Sequence, residues 1–212
     1  MLRQYLAYRN GIPFENIAPV ANAGVNQSVV QGNEVCFDGS NSSDVNGDSL
    51  SYFWTISLMP NNSSASLDNS TSVAPCMITD VAGSYEVSLT VNDGLLDSTP
   101  SSVNVVAITY SNAITDILQA IVEAINETNP DVFKNKELQK VLSNQVNIVI
   151  KLVDQRQYSE ALSKLSGGSI LGKINSCAES GEPDKNDWIQ DCVRQELVHD
   201  LVIEAIGYLG NL

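Results

Sequence analysis

Asp44, Asn46 and Asp48 alternate around Gly47 in the run Asp44-Val-Asn-Gly-Asp48. Side-chain oxygens spaced this way converge on one point, and the hard cation that such a turn suits is calcium, which takes roughly six to eight oxygens. Three side chains do not fill that shell. Backbone carbonyls, water and Asp93, expected at the same end of the domain, would have to complete it. No glutamate stands at the twelfth position, so this is not an EF-hand. The competing reading is that these side chains hydrogen-bond the backbone of their own turn. A second polar group, Asp184, Asn186, Asp187 and Asp191, lies between Cys177 and Cys192. It too can gather a cation, but Asn186 or Asp187 is better used as the N-cap of a following helix, with the other acids at its positive end.

Catalytic chemistry finds little to work with. His199 is the single histidine, and its neighbours Leu197 and Val202 set it at the rim of an apolar helix face. No Ser-His-Asp arrangement, glycine-rich phosphate loop or HExxH motif is present. The carboxylates are numerous, but a hydrolytic pair needs a cleft and an acid of raised pKa, which a sequence does not display. We assign no catalytic residue and expect no enzyme and no required cofactor. The four cysteines, Cys36, Cys76, Cys177 and Cys192, fall two to each half without a CxxC pair. Cys36–Cys76 and Cys177–Cys192 disulfides are the economical reading, which places the chain outside the cytoplasm; the alternative is free buried thiols.

The elements that position these residues change character near residue 110. Up to Ile108 the chain is rich in Ser, Asn, Val, Thr, Gly and Asp; beyond it Leu, Ile, Lys, Glu and Gln dominate. The net charge of -14 is shared, with two bases against ten acids in residues 1–108 and nine against fifteen in residues 109–212. Such a surface repels phosphate backbones and excludes nucleic acid as a partner. No run approaches the roughly 20 apolar residues of a membrane span. Met1-Leu-Arg-Gln-Tyr5 lacks the apolar core of a signal peptide, so an export signal is expected to have been removed or to lie elsewhere in a longer chain. Residues 1–17 read as a leader or connecting segment with a short helix ending at Gly11-Ile-Pro13.

From Ala18 the pattern is β. Val35 and Phe37 share one face of a strand, Leu50, Tyr52, Trp54 and Ile56 one face of another, and Tyr85, Val87, Leu89 and Val91 alternate without interruption. Ala65–Leu67, Val73–Thr79 and Val103–Val105 supply further strands. About seven strands with turn signals every 8–12 residues describe an antiparallel Ig-like β-sandwich. Trp54 belongs in its core, with carbohydrate stacking on an exposed Trp54 as the lesser reading. Asp80 to Tyr85 suits a tyrosine corner, in which the hydroxyl ties down backbone just upstream.

Several of these runs resemble a known family. Ala18-Pro-Val-Ala-Asn-Ala-Gly24, Asp38-Gly-Ser-Asn-Ser-Ser-Asp-Val-Asn-Gly-Asp48, Tyr52-Phe-Trp54, Asp80-Val-Ala-Gly-Ser-Tyr-Glu-Val-Ser-Leu-Thr-Val-Asn-Asp-Gly94 and Val103-Asn-Val-Val106 occur in the order of a PKD (polycystic kidney disease) domain. The resemblance covers residues 18–108. Where many PKD domains carry Trp-Asp-Phe-Gly-Asp-Gly, this chain has Trp54-Thr-Ile-Ser-Leu-Met-Pro60, similar to the subset found in secreted microbial proteins. The resemblance implies a non-catalytic module and permits calcium at one end of the sandwich. In that topology the strands bearing Cys36 and Cys76 are neighbours, which makes a bridge between them reasonable.

Residues 109–212 read as an antiparallel helical bundle. Ser111 or Asn112 is expected to cap a helix striped by Ile114, Ile117, Leu118, Ile121, Val122 and Ile125. Further helices are expected at Lys136–Gln155, Tyr158–Leu165, Ile170–Ile174 and Asp187–Leu209, the last burying Ile189, Val193, Leu197, Val198, Leu201, Val202, Ala205 and Ile206. This half looks similar to helical modules appended to secreted bacterial PKD proteins. The expectation is an extracellular or cell-surface binding or spacer protein, meeting other proteins or polysaccharide. The alternatives are a subunit or decoration of a surface filament, self-associating through residues 1–17, and an accessory module of a secreted hydrolase.

Overall fold

Tyr85, Val87, Leu89 and Val91 lie fully buried along one face of the longest strand, β5 (Gly83–Asn92). The computed structural model describes residues 15–167, 170–174, 177, 181–185 and 187–212; the helix expected before Gly11 lies outside them. β5 pairs antiparallel with β3 (Ser51–Leu58) on one side and with β6 (Ser101–Ile108) on the other, and β1 (Gln27–Val30) completes the sheet beside β6. β1 and β6 run parallel, a departure from the expected all-antiparallel arrangement. The whole domain separates these two strands in sequence, so no short connection forces them antiparallel. A second sheet pairs β2 (Glu34–Cys36) antiparallel with β4 (Cys76–Ile78).

Two expected strands shrink. Ala65–Leu67 contributes a single bridge from Leu67 to Met77. The Val73–Thr79 strand is reduced to β4: Phe37 N and Gly39 N still donate in register to Pro75 O and Val73 O, but Pro75 has no N–H to return and Ala74 N donates to Ser72 Oγ.

Inward-facing residues of the two sheets form one core, in which Trp54 is 1% exposed. Its indole N–H donates to Ser72 O at 3.0 Å, and its ring tilts against Phe37 at 5.6 Å. Gly39 makes that packing possible, since a Cβ there would stand 3.1–3.2 Å from Tyr52, Leu89 and Trp54. The tyrosine corner is formed. Tyr85 OH donates to Val81 O at 2.6 Å and accepts from Val81 N at 3.1 Å.

Between Ile108 and Thr109 the chain divides into a second compact unit. Among the described residues its helices are α1 (Tyr110–Glu127), α2 (Lys136–Asp154), α3 (Tyr158–Ser166) and α4 (Cys192–Leu209). α1 packs on α2 and α4, and α3 packs on the same two, closing a four-helix ring around one apolar core. Three-residue 3-10 turns at Pro130–Val132 and Leu171–Lys173 join them, the second replacing the expected helix at Ile170–Ile174. The cap of α1 is Thr109, whose hydroxyl accepts from Asn112 N, instead of Ser111 or Asn112. α4 starts at Cys192, five residues later than expected, with Asp191 as its cap. Its buried stripe is Gln195, Val198, Val202, Ala205 and Leu209, whose 3-and-4 spacing points one way. Val193 and Leu197 fall off that stripe and are 76% and 45% exposed. Among the described residues no helix is long and apolar enough to cross a membrane.

Both expected disulfides are formed. Cys36–Cys76 joins directly opposed residues of β2 and β4, and Cys177–Cys192 closes the loop that leads into α4. Buried Gln195 holds that loop as well: its Oε1 accepts from Cys177 N at 2.7 Å and its Nε2 donates to Ile189 O at 3.1 Å.

Candidate functional site

The acidic turn folds on itself through a glycine in the left-handed region. Gly47, at φ +83°, lets Asp48 N reach back to Asp44 Oδ1 at 3.1 Å, a conformation that L side chains seldom adopt. Asn46 faces the segment Glu15–Ile17: its Oδ1 accepts from Ile17 N at 2.9 Å and its Nδ2 donates to Glu15 O at 3.4 Å. Asp93 meets the same segment, its Oδ2 accepting from Asn16 Nδ2 at 2.8 Å. Its Oδ1 accepts from Leu95 N and Leu96 N, both at 2.7 Å. These backbone donors, Leu96 first, hold the Asp93 carboxyl below the usual carboxylate range. Residues 15–17 therefore strap the acidic turn to the Asp93 turn.

Of the four candidate calcium ligands, Asn46 and Asp93 thus hold one short segment, and protein donors engage Asn46 Oδ1, both Asp93 oxygens and Asp44 Oδ1. Asp44 Oδ2 is buried and has no hydrogen-bond partner. Asp44, Asp48 and Asp93 do not converge as a carboxylate triad. Among the described residues the one set of three such ligand atoms within 4.8 Å is Glu34, Cys36 and Cys76, and those two sulfurs are bonded to each other.

The second polar group is structural in its observed bonds. Asp184 and Asp187 bond reciprocally, each carboxylate accepting from the other's backbone N–H at 3.1 and 2.8 Å. Asp191 Oδ1 accepts from Arg194 N at 3.0 Å, and Asn186 lies outside the described residues. His199 Nδ1 stands 3.3 Å from the carboxylate of its neighbour Asp200.

A feature that strand alternation implied, and that our reading of the sequence passed over, is the outer face of the four-stranded sheet. Alternation sends Trp54 inward and so sends Phe53 outward, where it is 63% exposed. Its surroundings are polar. Across the sheet, Ser88 Oγ lies 3.4 Å from Ser57 Oγ and 2.8 Å from Ser102 Oγ, a row of hydroxyls over three strands. Beside Phe53, Ser51, Thr90, Asn92 and Asp97 line a groove of about 360 Å³. Asn92 Nδ2 donates to Asp97 Oδ1 at 2.7 Å, holding both side chains at the groove wall. An aromatic face bordered by hydroxyl, amide and carboxylate groups suits a ligand with an apolar face and a hydroxylated rim.

The family model described as PKD domain matches residues 16–109. Residues 16–109 are a PKD domain. The match takes in Asn16 and Ile17 of the strap. PKD domains are in general non-catalytic, and the coarse role they indicate is extracellular binding or spacing. No curated protein matches the chain. Among solved structures, the chain is similar to the PKD domain from the KIAA 1837 protein, at 28% identity over 45% of this chain and 92% of that one, with a TM-score of 0.37. It is also similar to a nucleoside hydrolase-related hypothetical protein from Saccharophagus degradans that is associated with carbohydrate metabolism, at 27% identity and a TM-score of 0.39. That match covers 44% of this chain and only 26% of that protein's length. A third neighbour is the PKD domain from human KIAA0319, at 17% identity over 46% of this chain and 87% of that one, with a TM-score of 0.38.

Proposed function

We propose that the chain is a non-catalytic extracellular or cell-surface binding module, and that its PKD domain makes protein–carbohydrate or protein–protein contacts through the Phe53 groove. The observation that carries this is the exposed phenyl ring in a groove whose other walls are hydrogen-bonding side chains. Stacking on the ring supplies area and the polar wall supplies orientation, the usual division of labour in a small binding site. Residues 15–108 contain no lysine or arginine, so the groove favours neutral or cationic partners and repels polyanions. Two disulfides and a PKD fold accord with an oxidising location outside the cytoplasm. The test is a glycan array and a polysaccharide pull-down with the full chain beside its Phe53→Ala variant. Retention of the wild type and loss in the variant are expected; equal retention of both overturns the groove assignment.

Asp44 Oδ2 favours one further reading, a calcium ion bound at the acidic turn to rigidify it. A buried carboxylate oxygen without a donor is costly unless a cation meets it. Calcium titration reads this directly: a rise in Tm for the wild type that Asp44→Asn abolishes supports the ion, and an unchanged Tm removes it.

A further inference from the structure

The pattern Asn-Xaa-Ser/Thr, the acceptor pattern for an N-linked glycan, occurs at Asn26, Asn41, Asn61, Asn62, Asn69 and Asn126. The pattern alone is permissive, and folding separates these positions. Transfer needs an exposed asparagine amide and an accessible hydroxyl two residues on.

Asn126 fails on both counts. Its Oδ1 accepts from Ser143 Oγ at 2.8 Å, and Thr128 is 2% exposed with its hydroxyl donating to Ala124 O. At Asn61 and Asn62 the paired hydroxyls, those of Ser63 and Ser64, both donate to Asp80. Asn26 Oδ1 accepts from Asn104 N, and Ser28 lies within β1. Ser43, two residues after Asn41, is locked to Val20 by a backbone bond in each direction.

At Asn69 the same two groups meet each other. Asp68, Asn69, Ser70 and Thr71 are all exposed, in a turn closed by Ser72 N donating to Asn69 O at 3.0 Å. Thr71 Oγ1 donates to Asn69 Oδ1 at 3.0 Å, and Thr71 N donates to the same oxygen at 3.2 Å. Drawing charge toward Oδ1 makes the Nδ2 protons more acidic, which favours loss of one as the nitrogen attacks. Ser70 O accepts from Trp54 N, which seats the turn beside β3, the outer strand of its sheet.

We propose that Asn69 is the acceptor of an N-linked glycan, with Thr71 as the hydroxyl that a transferase reads. The donor is a polyprenyl diphosphate-linked oligosaccharide. Asn69 Nδ2 bonds to its anomeric carbon, the carbon–oxygen bond to the diphosphate breaks, and the diphosphate leaves with the electron pair. The Nδ2 proton passes to a base of the transferase. A glycan at this turn covers the outer strand edge, which otherwise templates pairing with another chain. The proposal rests on the extracellular reading of the chain, because such transfer acts on exported segments.

Transfer with purified components tests it without requiring export. The folded, disulfide-intact full chain is incubated with an oligosaccharyltransferase and the lipid-linked donor, and glycopeptides are quantified by mass spectrometry. Occupancy at Asn69 is expected to exceed that at Asn126 at least about tenfold, since Asn126 is reached only by opening of the helical unit. In the reduced, unfolded chain that preference should vanish. Thr71→Ala should abolish transfer to Asn69 and Thr71→Ser should retain it, both with an unchanged Tm. An Asn69 left bare in the folded chain overturns the proposal, as does equal occupancy of Asn69 and Asn126 there. Fractionation of the source cells reads location separately, so an intracellular chain would defeat that reading and leave the acceptor chemistry standing.

Discussion

Tyr85 carries its hydroxyl to Val81 and to Asp80, and Asp80 in turn accepts from Ser63 Oγ at 2.6 Å and from Ser64 N at 2.6 Å. Truncation to Phe leaves the Val81 backbone groups to find other partners. Tyr85→Phe is therefore expected to lower stability by about 1–3 kcal/mol, seen as a lower urea midpoint with an unchanged m-value. The bonds from Ser63 first, and from the Ser64 backbone next, hold the Asp80 carboxyl well below its ordinary 3.8. A carboxylate depressed in the folded state contributes stability that is complete above the unfolded value and is lost as pH falls below it toward the folded value. Wild-type stability should thus drop on acidification below about pH 4, and Asp80→Asn should be less stable at neutral pH while showing a shallower acid slope. Urea melts over that range check both. The tyrosine corner was legible in the sequence because its partners lie within a few residues of one another. The strap was not, because Asn16 and Asp93 meet across 77 positions.

Elements were legible where their pattern is local. The β5 alternation and the α2 helix both form where expected, and Asn135 caps α2 through Glu137 N. α4 was read less well. Apolar residues surround much of it, so the pattern did not single out one face; packing against α1 and α3 selected the Gln195–Leu209 stripe and left Val193 and Leu197 outside. The disulfides act at this scale, each tying one loop to one element. Replacing Cys36 and Cys76 by Ser should cost about 4 kcal/mol, and replacing Cys177 and Cys192 about 3 kcal/mol, from loop lengths of 40 and 15 residues. Far-UV circular dichroism resolves the two. The first pair of replacements should lower the melting of the β signal and the second that of the helical signal.

At the scale of the whole molecule, a net charge of -14 works against compactness. Screening relieves that repulsion, so added monovalent salt should raise Tm, as measured by calorimetry; a salt-independent Tm would show that the carboxylates are already compensated. Composition by itself determined the two-part organisation, the acidity and the two cysteine pairs, because these are sums along the chain and need no geometry. Alternation and helical spacing determined which faces turn inward, as the short periods of strand and helix are written locally. Tertiary structure alone decided which donors meet the acidic turn. Asp44, Asn46, Asp48 and Asp93 looked like a set of oxygens awaiting a metal. Folding brings Glu15–Ile17 against Asn46 and Asp93, and hydrogen bonds within the chain take up the oxygens of Asn46 and Asp93 and one of Asp44. Spacing along a chain states which groups can meet; which donor reaches each oxygen first depends on segments that are distant in sequence and adjacent only in the fold.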